Sequence, residues 1–304
     1  MAHNHHHHHS HGSGDGDVRM TGAIAVNVLL TIVQVVGGIA SGSLALIADG
    51  LHNLSDAASL IIAFAARKIG RRGSDSVMTF GYRRIEIVAA LVNYTTLIVL
   101  GLYLAAEAVG RFFEPEHVDG WMVVWIATIA LVVDLVTAFL TFALSKESMN
   151  IRAAFLHNIA DALGSVGVII AGIFVILFGW WIVDPIVTLL ISGYILWMSF
   201  NEIGGVIRIL MLGSPPGIAT EDVLDAVRGV DGVNEVHRAR FWQVHEEAYA
   251  FDAHVVIDGG SWTEADAIKA RVKAALAERF EIHQSTLELE CAAHACNEAP
   301  AFGD

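Results

Sequence analysis

Six apolar stretches of about 20 residues dominate the first two thirds of the chain, at approximately 20–40, 44–66, 85–110, 121–144, 153–178 and 183–210. A helix of that length crosses the ~30 Å hydrocarbon layer of a bilayer. In lipid every backbone N–H and C=O must be bonded within the protein, so runs of this kind have the α-helix as their solution. Composition agrees: 55% of the 304 residues are apolar, 16% are charged and the mean hydropathy is +0.56. Short hairpins at Ser41-Gly42-Ser43 and at Gly179-Trp180-Trp181 join two pairs of runs, the tryptophans suiting a membrane interface. The connections on the other side carry Arg67, Lys68, Arg71, Arg72, Arg83, Arg84, Lys146 and Arg152, whereas Arg111 stands opposite them among Glu114, Glu116 and Asp119. The excess of positive charge on one side predicts that both termini face the cytoplasm.

Beyond Leu212 the pattern becomes that of a soluble domain, entered through Gly213-Ser214-Pro215-Pro216-Gly217. A helix is predicted from Thr220, strands over Val233–Trp242 and Ala248–Ile257, a helix over Trp262–Phe280 and a last strand over Ser285–Glu290. The order αββαβ predicts a small α+β sheet with two helices on one face. From residue 211 onward 7 Lys and Arg stand against 17 Asp and Glu, so this part carries −10 of the net charge of −14. Such a surface suits cations and disfavours nucleic acid as a partner. The opening MAHNHHHHHSHGSGDGD has no apolar h-region and so is not a cleavable signal peptide. Residues 1–18 read as a disordered cytoplasmic arm, whether the His5–His9 run is an expression tag or a natural metal-collecting tail. The expected division is therefore the arm at 1–18, a six-helix membrane domain at 19–212, a cytoplasmic domain at 213–290 and a tail at 291–304.

One motif recurs. His52 and Asp56 in LHNLSD return as His157 and Asp161 in LHNIAD, each pair inside an apolar run. Residues four apart share a helix face, roughly 6 Å apart, so each pair offers an imidazole beside a carboxylate. One histidine in an apolar helix reads as a hydrogen-bonded core residue; two matching pairs supply the two nitrogens and two oxygens that Zn²⁺ accepts tetrahedrally. Ionisable groups inside a bilayer mark transport paths, and this set favours a borderline metal over Mg²⁺ or Mn²⁺. A metal needs neutral imidazoles and ionised carboxylates, so metal and protons compete for the same lone pairs. No HExxH is present to suggest a metalloprotease, and the chain reads as a transporter rather than an enzyme. Cys291 and Cys296 bracket His294 in a CxxxxC spacing, a looser pattern than CxxC, and no disulfide framework is indicated.

The stretches SGSLALIADGLHNLSD, TFGYRRIEIVAALVN, FLHNIADALGSVGVIIAG and WWIVDPIVTLLI resemble, in order, the motifs of the cation diffusion facilitator family, over about residues 20 to 290. The resemblance implies six transmembrane helices, a ferredoxin-like, metallochaperone-like cytoplasmic domain and a homodimer. It further implies export of Zn²⁺, with Cd²⁺, Co²⁺ or other divalent metals among the family's substrates, in exchange for protons by alternating access. His52, Asp56, His157 and Asp161 would be the transport site, and the His/Asp mixture is the family's zinc-preferring form. His237, His254, His283 and Glu290 match cytoplasmic-domain zinc positions, while Arg240 replaces a frequent His. Asp134 replaces a common Asn, and Asp49 belongs to the family motif. Some animal relatives grip zinc with a C-terminal CxxC and the N-terminal arm, the part Cys291, Cys296 and the His-rich arm would play. The short loop between the fourth and fifth runs points to a bacterial inner membrane. A membrane-anchored sensor or scaffold that does not transport is the alternative, weakened by the presence of all four membrane ligands.

Overall fold

The computed structural model describes residues 13–69, 72–142, 149–245, 248–296 and 299–303; the side chains of 13–24, 140–142, 149–158, 160 and several α2 residues, Asp56 among them, lie outside that set. Of the arm expected at 1–18, residues 1–12 are likewise outside it, while residues 13–18, expected to be disordered, belong to the first helix. Six long helices come first: α1 (Ser13–Ser41), α2 (Leu44–Ile69), α3 (Ile85–Phe113), α4 (Gly120–Phe142), α5 (Met149–Phe178) and α6 (Val183–Leu210). Among the described residues, four contain segments long and apolar enough to cross a membrane, at Ile85–Phe113, Gly120–Phe139, Asp161–Phe178 and Val183–Leu210. Sequence reading expected six. In α1 the described apolar segment is shorter, Ala25–Ser41, and α2 is diluted by Asp49, His52, Asn53, Ser55 and Asp56.

Two compact units divide the described residues. The first draws on residues up to 67 and on 92–202; the second comprises 68–91 and 203 onward. In the first, Ala45, Leu46, Val118, Val123, Ala127, Val168 and Val175 form a buried cluster. Glycines set how closely the backbones run. A Cβ on Gly120 would stand 2.7 Å from the Gly172 carbonyl oxygen, so α4 and α5 meet backbone to backbone. Gly42, at φ +73°, turns the chain between α1 and α2, and a Cβ there would stand 2.6 Å from the His117 carbonyl oxygen.

α2 begins under a carboxylate from another helix. Asp184 of α6 accepts hydrogen bonds from the Ser43 hydroxyl (2.5 Å) and the Leu44 amide (2.9 Å), satisfying donors that a helix start leaves open. Arg111 of α3 donates to the Gly42 carbonyl, pairs with Glu116 at 2.8 Å and stands 3.9 Å from Asp184.

The second unit contains α7 (Thr220–Arg228), β1 (Val233–His245), β2 (Ala248–Ile257), α8 (Trp262–Phe280) and β3 (Gln284–Cys291). The αββαβ order matches the sequence reading. The sheet runs β1-β2-β3, antiparallel between β1 and β2 and parallel between β2 and β3. One face carries Val236, Phe241, Phe251, Val255, Leu287 and Leu289, packed with Val223, Leu224, Val272 and Leu276 of the helices. Ser261 and Glu264 cap α8 reciprocally. A bulge in β1 between His237 and Arg240 shifts the register against β2, with Arg238 left-handed at φ 50°.

Gly42 and Gly179 both have positive φ, but Gly179 has open space where a Cβ would go. Replacing either with alanine should cost about 1–2 kcal/mol for the left-handed backbone, and Gly42→Ala should cost more through its clash. Thermal unfolding in detergent should therefore show a larger fall in midpoint for Gly42→Ala than for Gly179→Ala; equal shifts would contradict the steric argument.

Candidate metal centres

In the first unit the two recurring motifs meet through one member of each. His52 of α2 and Asp161 of α5 are both 6% exposed, with Nε2 of the imidazole 2.8 Å from Oδ1 of the carboxylate. An ionised carboxylate only accepts, so the imidazole N–H donates. Asp56 lies one turn after His52, and His157 one turn before Asp161, but both side chains fall outside the described set. Tyr194 of α6 stands edge-on to His52 with ring centres 5.8 Å apart.

A second buried polar network lies beside this pair. Asn53 donates to the Gln34 carbonyl (2.7 Å), and Gln34 of α1 donates in turn to Asp49 (2.6 Å). The Ser165 hydroxyl of α5 lies 3.3 Å from Oδ2 of Asp49 and 3.3 Å from Oδ2 of Asp134 on α4. A single hydroxyl hydrogen serves one carboxylate at a time. Four helices thus contribute to one polar interior. Gln34, Ser165 and Tyr194 were not read as functional from the sequence; the one available signal was a lone polar residue in an apolar run, which leaves its partner unnamed.

In the second unit a separate group forms on the sheet face opposite the core. Strand alternation puts Val236, Val255 and Leu289 inward and their neighbours His237, His254 and Glu290 outward. His237 pairs with His254 across β1 and β2, their rings 5.4 Å apart, and Glu290 comes from β3. Cys296, beyond β3, completes a set of four whose candidate ligand atoms all lie within 4.8 Å of one another. His283 is exposed ahead of β3 and stands apart from the group. Cys291 is exposed too and is not part of the group; it lines a cavity with Gly259, Trp262 and Arg271 that Glu290 also borders.

The electrostatics suit a cation. Desolvation pushes the Glu290 carboxyl upward, but hydrogen bonds from the Cys296 amide (3.0 Å), His254 and the Cys296 thiol, with the nearby His237 imidazole, outweigh it and hold the group at about 2. The same carboxylate, as acceptor of its hydrogen bond, raises the Cys296 thiol. His237 is 1% exposed; Nε2 lies 3.3 Å from Glu290 Oε2 and Nδ1 lies 4.0 Å from Glu235 Oε1. Neither nitrogen makes a hydrogen bond among the described residues. A buried imidazole left so, beside an ionised carboxylate and a thiol, fits a bound Zn²⁺, which takes N, O and S donors.

The helical bundle with a buried His/Asp pair, followed by a small acidic-rich domain, defines the class of integral membrane cation transporters. Residues 20–211 match the cation efflux transmembrane domain and residues 215–291 the cation efflux protein cytoplasmic domain. The chain belongs to the cation efflux, or cation diffusion facilitator, family. It is 35% identical to the cadmium, cobalt and zinc/H(+)-K(+) antiporter of Bacillus subtilis (strain 168) over 86% of this chain and 85% of that one. Zinc transporter ZitB of Escherichia coli (strain K12) is 34% identical, over 90% and 87%. Metal cation efflux system protein CzcD of Cupriavidus metallidurans is 31% identical, over 92% and 87%.

Glu290 gives a pH test. Its carboxyl is lower in the folded protein, about 2, than the ~4.3 of a free glutamate, so its stabilisation is present above about pH 4.3 and disappears as pH falls through about 2. With a chelator present, Glu290→Gln should be less stable than wild type at pH 7, and the gap in unfolding midpoint should narrow from pH 5 downward. A gap that widens on acidification would contradict the assignment.

Proposed function

We propose that the protein exports divalent metal, Zn²⁺ foremost, from the cytoplasm by proton-coupled antiport. The observation that carries this reading is the buried His52–Asp161 pair, which joins the two HxxxD helices. His52, Asp56, His157 and Asp161 form the substrate site, with Cd²⁺ and Co²⁺ as further substrates, in keeping with the names of the relatives. All six long helices span the membrane, α1 and α2 included, and the cytoplasmic domain is ferredoxin-like. The protein acts as a homodimer in a bacterial inner membrane with both termini cytoplasmic.

The chemistry is an exchange at shared lone pairs. With a proton on the imidazole, His52 and Asp161 satisfy each other and the pair is closed to a cation. A cation takes the imidazole and carboxylate lone pairs only after that proton leaves. Imidazoles as a class exchange a proton near physiological pH, which suits such a competition. Alternating access then delivers metal to one side and protons to the other. The Gln34–Asp49–Ser165–Asp134 network supplies polar partners beside the pair, so that changes of charge occur in a hydrogen-bonded setting rather than in hydrocarbon. In the cytoplasmic domain His237, His254 and Glu290 would hold a resident Zn²⁺, which would tie the three strands together. The exposed His283 is outside that set.

A non-transporting sensor has no use for a substrate pair at this depth, and the experiment that separates the readings is flux. Proteoliposomes holding wild type should take up Zn²⁺ in proportion to an imposed pH gradient, and Asp161→Ala should lose at least nine tenths of that uptake, the ~1.4 kcal/mol step of a tenfold change. Unimpaired flux in the variant would overturn the site; gradient-independent flux would overturn the proton coupling.

A further inference from the structure

β1 is an edge strand, since the sheet ends there, and an edge offers unpaired N–H and C=O groups. Here the chain's own C-terminal residues cover it. At the bulge, the Arg238 amide donates to the Pro300 carbonyl (2.9 Å) and the Ala239 amide to the Ala301 carbonyl (3.0 Å), while the Gly303 amide donates back to Ala239 (3.3 Å). Ala239 and Phe302 form a parallel bridge. A few residues earlier the strap has a second attachment. After β3 the chain turns, closed by the His294 amide on the Cys291 carbonyl (2.8 Å), and Cys296 then directs both its amide and its thiol at Glu290.

The two attachments are coupled through adjacent residues. His237, whose buried ring nitrogens have no hydrogen bond among the described residues, immediately precedes Arg238, whose amide holds the strap. Glu290, which Cys296 grips, lies beside His237 and His254. We propose that Cys296 is the fourth ligand of the cytoplasmic-domain site, and that divalent-cation occupancy fastens the C-terminal strap to the open edge of β1. This deepens the resident-metal reading above and rests on it.

On binding, the Cys296 S–H bond breaks, a sulfur-to-metal bond forms, and the proton passes to solvent. The carboxylate that accepted the S–H becomes a neighbouring ligand. The resulting donor set is two nitrogens, one oxygen and one sulfur. A thiolate makes it softer than the histidine and aspartate set of the membrane site, and biases it toward Zn²⁺ and Cd²⁺ over Mn²⁺ and Mg²⁺. The strap extends the consequence beyond the site. Phe302 shares a cavity wall with Leu212 and Ser214, which follow α6 in the chain, and with Trp242. Metal occupancy is thereby registered at the segment leading out of the last membrane helix.

The test uses the full-length chain in detergent, in an Asp161→Ala background that removes the membrane site, with Cd²⁺ as the probe. The sulfur-to-cadmium charge-transfer band in the ultraviolet should appear in this protein and in its Cys291→Ser derivative, and be absent from the Cys296→Ser derivative. Hydrogen exchange of the peptide holding Arg238 and Ala239 should slow at least tenfold with Zn²⁺, and that response should vanish in Cys296→Ser. A band that follows Cys291, or an exchange response unchanged in Cys296→Ser, would overturn the proposal while leaving His254-dependent metal binding intact. Loss of Zn²⁺ binding in His254→Ala supports the resident site; equal binding with and without His254 would sink that site and the strap proposal together.

Discussion

An imidazole and a carboxylate buried among apolar helices are tolerable only if each answers the other, because an isolated charge or unpaired polar group there costs several kcal/mol. That requirement ties α2 to α5 at His52 and Asp161. The surrounding groups follow the same logic. Asp49 has Gln34, Gln34 has Asn53, and the Ser165 hydroxyl lies within reach of Asp49 and Asp134, serving one of them at a time. α1 supplies Gln34 to the Asp49 carboxylate of α2, and α5 presents Ser165 to both Asp49 and the Asp134 carboxylate of α4, so the polar interior spans four helices. Close packing at Gly120 and Gly172 holds α4 against α5.

The cytoplasmic unit solves a parallel problem with different geometry. A three-stranded sheet has two faces, and two helices cover one of them with an apolar core. It is on the other face that His237, His254 and Glu290 gather, with Cys296 from beyond β3 beside them. A carboxylate held ionised by hydrogen bonds from a backbone amide, a histidine and a thiol attracts a cation without reorganising first.

Much of this was legible because helices and strands have fixed periods. The i,i+4 spacing of the HxxxD motifs fixed which residues share a helix face, and alternation of apolar residues gave the αββαβ order with its strand boundaries within a few residues. Alternation also explains the division among the cytoplasmic candidates: Leu287 and Leu289 must face the core, so Glu290 faces away from it. His283 precedes the strand and gains no such constraint. What spacing could not convey was closure by a turn. Cys291 and Cys296 look equivalent in sequence, but a turn at Cys291–His294 lies between them and brings the second alone over the face. Gln34 and Ser165 were hidden for a related reason: a single polar residue on an apolar helix announces a partner without identifying it. Among the described residues α1 shows a shorter apolar segment, Ala25–Ser41, and α2 carries Asp49, His52, Asn53 and Ser55 within its apolar run.

The carboxylate at the start of α2 gives that helix an asymmetric mechanics. Asp184 fixes Ser43 and Leu44 to α6, and the Arg111 side chain braces the same corner. His52 lies eight residues further on, about 12 Å along the axis at 1.5 Å per residue, and the far end at Ile69 is three times as distant. A helix clamped at one end behaves as a lever about that end. Any tilt of α2 about that clamp therefore displaces His52 only about a third as far as it displaces Ile69.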